Sequence, residues 1–249
     1  MTWSILAKDP QSGLFGLAVA SRFFAVGALC PHSGVPQGAA MSQALPNPEL
    51  GVRALVVLGH GHRARSVVEM LVGMDQGIDQ GIDQRQFHVI DSDGGTAAHT
   101  GARCVDWCGH LTEDGISVAG NMLAGPQVIA ETMAAYKANL GLPIVERLLT
   151  AMEAGEAAGG DKRGKQAAGL RIQGPECYAR LDLRADDHAD PLAELRRLYA
   201  VARERFIPFS ACLPTRERPY GIQDRGIIDK IIERDAGKPL AASVEIPEA

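Results

Sequence analysis

The order in which strand-like and helix-like segments follow one another is the feature that most constrains this chain. Trp3 to Lys8 is a short, apolar, β-prone run. Asp9-Pro10-Gln11-Ser12-Gly13 supplies turn residues, and Leu14 to Ala20 is a second buried-strand run, so the chain opens with a hairpin. A third strand is predicted around Val35 to Met41. From Glu49 to Asp75 the pattern turns helical: Leu55, Leu58, Val67, Val68 and Leu71 recur at helical spacings, and Gly59–Gly61 divides the stretch into two helices. Strands return at Gln86 to Asp91 and Thr96 to Thr100 around the turn Ser92-Asp93-Gly94-Gly95, then at Trp107 to Leu111 and Ile116 to Ala119. A second helix pair follows, Gln127 to Asn139 and Ile144 to Ala157. Strands at Gln166 to Gln173 and Tyr178 to Arg184 precede a helix opened by Asp190-Pro191, with Asp as N-cap and Pro in the first turn. Antiparallel hairpins between helix pairs predict an α+β fold of four layers, αββα, with two antiparallel sheets inside two helical layers.

Two segments stand apart from this pattern. Residues 76–83 read QGIDQGID, a four-residue duplication expected to form a surface loop. Residues 206–249 contain Pro208, Pro214, Pro219 and Pro239 with one helix, Asp224 to Asp235. The expectation is a domain over residues 1–205 and an extension over 206–249 that packs on it or on a neighbouring subunit.

Composition excludes several classes of function. The 249 residues are 46% hydrophobic with a net charge of −5, too apolar and too weakly charged for a disordered chain. No apolar run approaches the roughly 20 residues of a membrane span, and MTWSILAKDP has neither the basic nor the apolar region of a secretory signal. Cys30, Cys104, Cys108, Cys177 and Cys212 are odd in number and scattered, which reads as reduced thiols in a cytoplasmic protein. A mildly acidic chain offers no basic face for nucleic acid. His60-Gly61-His62 lacks further ligands at metal-binding spacing and reads as a helix end. No phosphate-cradling glycine motif occurs, so neither a metal nor another cofactor is expected.

Thr2 is the most informative position, although Met-Thr is also an ordinary opening for a chain without such chemistry. Initiator methionine is removed before small residues, and its removal would leave a hydroxyl and a free α-amine on one residue at the start of a buried strand. An α-amine titrates at about 7.7–8.0 and can take the hydroxyl proton itself. Pairing threonine with its own N-terminus is an established way to activate a weak nucleophile.

The opening MTWSILAKDPQSGLFGLAVASR resembles that of the N-terminal-nucleophile hydrolases: nucleophile strand, turn, second strand, polar pair. GISVAGNMLAG resembles the strand-to-helix corner of proteasome β-subunits, and ERLLTAMEAGEAAGGDKRGKQAAGL the helix and turn that follow. SQALPNPELG, GNMLAG, GGDKRGKQAA and DLRADDHADPLAEL are similar to one bacterial and archaeal family of that superfamily, a domain of unknown function known by the number ten-twenty-eight. The resemblance covers about residues 2–200. It implies the αββα fold and a tendency to cleave amide bonds, and it supplies no substrate.

Carried over residue by residue, the resemblance puts Thr2 at the nucleophile position. Ser21 and Arg22 fall beside it at the end of the second strand; locally they read equally as a strand end and a surface arginine. Asn121 is placed to donate its amide to an oxyanion, or else to form a turn or helix cap. Asp161 matches the aspartate that orients the nucleophile. Ser42, Gln43 and Asn47 lie at the corner where backbone N–H groups face a substrate carbonyl. Asp186-Asp187-His188 matches a family hallmark and locally reads as a turn before the Asp190 cap. One departure matters: proteasome β-subunits use a lysine from the third strand, and this chain has no lysine between Lys8 and Lys137. Arg22 is the one cation of the first hairpin's end, and it cannot shuttle a proton as lysine can. The expected function is therefore amide hydrolysis on a small amide or acylated amine, unlike proteasomal proteolysis, in a homo-oligomer. The rival expectation is a non-catalytic binding or assembly module.

Overall fold

A computed structural model describes residues 2–78 and 81–241 of the chain. Strands β1 (Thr2–Lys8) and β2 (Phe15–Ser21) form the expected hairpin, with Trp3 opposite Ala20 and Lys8 opposite Phe15. Its turn is closed by Asp9, whose carboxylate accepts from Ser12 N at 2.9 Å, and by Gly13 in the left-handed region at φ 70°. The helix α1 (Val26–Leu29) leads to a second hairpin, β3 (Pro31–Val35) and β4 (Gly38–Ala44). The single strand expected at Val35 to Met41 takes in the end of β3, a tight turn at Pro36-Gln37 and the first half of β4. Gly38 makes the turn possible: at φ 152°, its hypothetical Cβ would lie 2.2 Å from Ile90 O.

The helical pair follows as α2 (Pro48–Gly59) and α3 (Ala64–Ile78), divided where Gly59–Gly61 predicted. Asn47 caps α2 by accepting from Glu49 N, and Asp91 reaches across to accept from Ala64 N at the start of α3. Within the duplicated QGIDQGID, Asp79 and Gln80 lie outside the described residues. The rest is not the surface loop expected: α3 continues through Ile78, and Ile82 opens a single 3₁₀ turn (Ile82–Gln84) and is buried in the core. The second copy supplies an apolar residue to a helix–sheet interface, which polarity averaged over the segment hides.

Next come β5 (Arg85–Asp91), β6 (Thr96–Thr100), β7 (Gly109–Glu113) and β8 (Ile116–Asn121). β7 starts later than the expected Trp107, because residues 101–108 form a loop from which the Val105 and Trp107 carbonyls bind Met122 N and Leu123 N. Then follow α4 (Gln127–Ala138), α5 (Ile144–Ala157), β9 (Ala167–Gln173), β10 (Ala179–Ala185) and α6 (Pro191–Glu204), the last capped by Asp190. The extension holds a short helix, α7 (Phe206–Ser210), besides the expected one, α8 (Arg225–Asp235).

Among the described residues the strands form two antiparallel sheets, in the orders β10-β9-β2-β1-β8-β7 and β3-β4-β5-β6. On the outer face of the first, Trp3, Ile5, Ala18 and Val118 pack against α4, α5 and α6. On the outer face of the second, Ala40, Phe87 and Val89 pack against α2 and α3. The four layers are therefore αββα, as the element order predicts. Buried arginine pins one edge: Arg147 of α5 donates to Asp9 at 3.1 Å and to Tyr136, with its side chain 2% exposed.

The two inner faces meet in a layer of two kinds. Leu6, Leu17, Val19, Val26, Met41 and Ile90 make one half apolar. Alternation along β1, β4, β5 and β8 puts Thr2, Ser4, Gln43, Gln86, His88, Ser117 and Asn121 into the other half, all of them buried.

Candidate functional site

Thr2 begins β1 near the middle of the larger sheet, opposite Asn121 in the β1–β8 ladder. Its hydroxyl is buried and donates to Ser21 Oγ at 3.2 Å. It also forms one wall of a cleft with a cavity of about 50 Å³, whose other walls are Phe23, Val26, Leu29, Cys30, Gln43, Ala44 and Pro46. Burial pushes the Cys30 thiol up to about 12, so it stays protonated and serves as apolar wall.

The polar half of the inter-sheet layer backs this cleft, and its hydrogen bonds run in one direction. Gln86 Nε2 donates to the carbonyls of Gly120 (2.8 Å) and Gly109 (3.1 Å), which can only accept. That turns Gln86 Oε1 toward Gln43 Nε2 at 2.8 Å and Asn121 Nδ2 at 3.0 Å. Gln43 Oε1 then accepts from Ser4 Oγ at 2.6 Å. Having given its one proton, Ser4 accepts from His88 Nε2 at 2.9 Å, which leaves Nδ1 bare to accept from Ser117 Oγ at 2.8 Å. The network therefore assigns the proton of His88 to Nε2. Burial, with His110 nearby, lowers the His88 pKa to about 3, so the ring is neutral. Gln43 Nε2 keeps a second proton, for which the described residues offer no acceptor, in a side chain on the wall of the Thr2 cleft.

The structure gathers some expected site residues and separates others. Thr2 and Gln43 both line the cleft, and Ser21 accepts from the Thr2 hydroxyl behind it. Asn121 adjoins it, but its amide donates to Gln86 and, at 3.4 Å, to the Thr2 carbonyl, so it braces the strand. Asp161 is buried; its oxygens accept from Arg22 N (2.8 Å) and Arg163 N (2.8 Å), which anchors the residue after Ser21. The exposed Arg22 side chain donates to the Arg163 carbonyl. Ser42 N donates to Cys30 O at 3.0 Å and Ser42 Oγ to Asn47 O, while Asn47 caps α2. His60 sits exposed at the end of α2, bonded to Val56 O, and His188 bonds locally to Asp190. Met1, whose removal the sequence reading expects, lies outside the described residues.

Sequence reasoning missed Ser4, Gln86, His88 and Ser117. Alternation puts Gln86 and His88 on one face of β5, but only the six-stranded sheet packed over it makes that face a buried one. A further signal is visible only in the backbone. The described non-glycine residues at positive φ are Ala25 (54°), Ala44 (72°) and Met122 (55°). Ala25 precedes α1, Ala44 lines the cleft, and Met122 follows Asn121, so all three edge the Thr2 site. Strained backbone of this kind gathers at functional sites.

Comparison with known proteins identifies the family. The crystal structure of a Silicibacter pomeroyi protein of the family DUF1028 is 30% identical, over 90% of this chain and 96% of that one, with a TM-score of 0.82. More distant are HslV of Trypanosoma brucei (11% identical, 68% of this chain and 98% of that one, TM-score 0.46) and Anbu, an ancestral β-subunit, of Yersinia bercovieri (9%, 86% and 98%, 0.43). No curated protein matches the chain. The match to a family of unknown function, DUF1028, runs over residues 2–195, and the chain belongs to that family.

Proposed function

We propose that the protein is an amide hydrolase of the N-terminal-nucleophile type, acting on a small amide or acylated amine. The observation that carries the reading is the place of Thr2: a buried hydroxyl at the start of a central strand, on the wall of an apolar cleft. With Met1 removed, the Thr2 α-amine takes the proton of Oγ1 as Oγ1 attacks the carbonyl, and the amine leaves with a proton. Water then attacks the acyl-threonine ester, the acid departs, and Oγ1 is reprotonated. Gln43 Nε2, with its uncommitted proton, is the side-chain donor best placed to hold the oxyanion, in place of Asn121. Ser21 holds the nucleophile, and Asp161 acts through the backbone of Arg22 as a positioning residue.

Intact-mass spectrometry after incubation with a panel of activated small amides tests this. The expected result is a chain lacking Met1 that carries one acyl group on Thr2, and none on a Thr2→Ala variant. Acylation that persists in Thr2→Ala, or Met1 retained in turning-over enzyme, would sink the mechanism.

A specific observation favours a second reading, the non-catalytic module. The hydrogen bond of the Thr2 hydroxyl goes to a neutral hydroxyl, with no lysine or carboxylate in that role among the described residues. On that reading the cleft binds its ligand without turnover, and no adduct forms with any amide.

A further inference from the structure

Three properties of the Thr2 cleft narrow what it can take, and they rest on side chains rather than on the nucleophile. The first is size. By the same measure, an engineered apolar cavity of about 150 Å³ accommodates benzene. A cavity of about 50 Å³ therefore has room for roughly two to four carbons. The second is polarity. Phe23, Val26, Leu29, Cys30 and Pro46 are uncharged, and the thiol among them stays protonated, so these side chains return nothing to an ionised group for the hydration it would lose on entering.

The third property is rigidity. Val26 and Leu29 belong to α1, which lies directly on β9: a Cβ on Gly27 would sit 2.9 Å from the Gly169 Cα, and one on Gly169 would sit 2.6 Å from the Gly27 Cα. The end of α1 is tied to β4 through the Ser42 N–Cys30 O bond. Because backbone already touches backbone there, α1 cannot shift closer to β9. The wall's depth is set by side-chain length at positions 26 and 29.

We infer that the Thr2 cleft selects a short, uncharged, aliphatic acyl group of about two to four carbons, with Val26 and Leu29 setting the upper limit. This deepens the hydrolase reading and rests on it for the word acyl, whereas the preference for short aliphatic chains stands on the cleft alone.

The test uses straight-chain primary carboxamides from acetamide to octanamide, with succinamate and benzamide as the charged and aromatic members. Binding is measured by saturation-transfer NMR titration, and release of acid is followed in parallel. Affinity is expected to rise about fourfold per added carbon up to three or four carbons, then stop rising. Succinamate and benzamide are expected to bind at least about tenfold more weakly than butyramide. Leu29→Ala and Val26→Ala should move the limit outward by about two or three carbons, the number each removes from the wall. Both variants are used because Val26 is the more deeply buried and its loss is the more disruptive. If this length profile appears in binding and no acid is released, the hydrolase reading fails and the selectivity stands. If amides are cleaved without regard to length or charge, the hydrolase reading stands and the selectivity is overturned. Absence of binding by every member, or a length limit unmoved in both variants, overturns it as well.

Discussion

At the scale of single residues, the unusual element is a histidine buried between two sheets with both ring nitrogens engaged. His88 is neutral in the folded protein, with its pKa lowered to about 3 by burial, and in the unfolded chain it titrates near 6.5. Burial also lowers His32 to about 4, with Arg171 contributing. The folded state thus binds fewer protons than the unfolded one below about pH 6.5. The stability that these rings contribute is fully present above that value and is lost as pH falls from there toward 4. Each fully linked group gives a slope of about 1.4 kcal/mol per pH unit. Urea denaturation at a series of pH values should show this decline between pH 6.5 and 4, and His88→Leu should flatten it. The same substitution leaves Ser4 and Ser117 without their shared partner and should cost about 1–3 kcal/mol at pH 7. Nitrogen-15 shifts of His88 should show a protonated Nε2 and a bare Nδ1 from pH 7 to 5. An imidazolium signal at pH 5 would contradict the assigned network. Asp9 adds acid sensitivity at lower pH: burial raises its pKa, yet hydrogen bonds from Ser12 and the Arg147 guanidinium bring it below the ordinary value overall. Its contribution is therefore lost only as the carboxylate protonates.

At the scale of elements, two sets of small residues pull in opposite directions at the site. Gly27 and Gly169 allow α1 to rest on β9, and an alanine at either position would drive a Cβ into backbone. Gly27→Ala should destabilise by about 1–3 kcal/mol and displace the wall that carries Val26 and Leu29. Ala44 is the reverse case. It holds φ 72°, which costs an L-residue about 1–2 kcal/mol, so Ala44→Gly should stabilise the fold by up to about 1 kcal/mol once glycine's own entropy is counted. Thermal denaturation of the two variants reads both effects, and a stabilising Gly27→Ala would refute the packing argument. Legibility also varied by element. Helices 144–157 and 191–204 were plain in the sequence because long amphipathic periods and the Asp190 cap mark them. The sequence shows one strand at Val35 to Met41 and not the two at 31–35 and 38–44, because a two-residue turn at Pro36-Gln37 carries little signal without knowledge of Gly38's backbone.

For the whole molecule, the C-terminal extension is the part whose stability should differ. Ile207 and Leu240 join the main core, and Gly237 N bonds to Arg203 O, but Cys212, Ile228, Ile231 and Ile232 form a small cluster of their own. A cluster that size supplies little against the entropy of ordering about 40 residues. Hydrogen exchange should show α8 amides exchanging much faster than those of β1 and β2. Equal protection in both would mean that 206–241 folds cooperatively with the sandwich. No helix among the described residues is long and apolar enough to cross a membrane.

The sequence by itself determined the layers. Hairpins flanked by helix pairs have apolar faces that only an αββα stack can bury, and this information is local and periodic. What the sequence could not contain was the partner of each buried polar group. Asn121 donates to Thr2's carbonyl and to Gln86, 35 residues away in the chain, whose acceptor oxygen is turned toward it. Among the described residues Asp161 reaches the nucleophile through the backbone of Arg22. Hydrogen bonds between sheets depend on the register and facing of two separate surfaces. Periodicity within one strand names a face, and only the tertiary structure decides what that face meets.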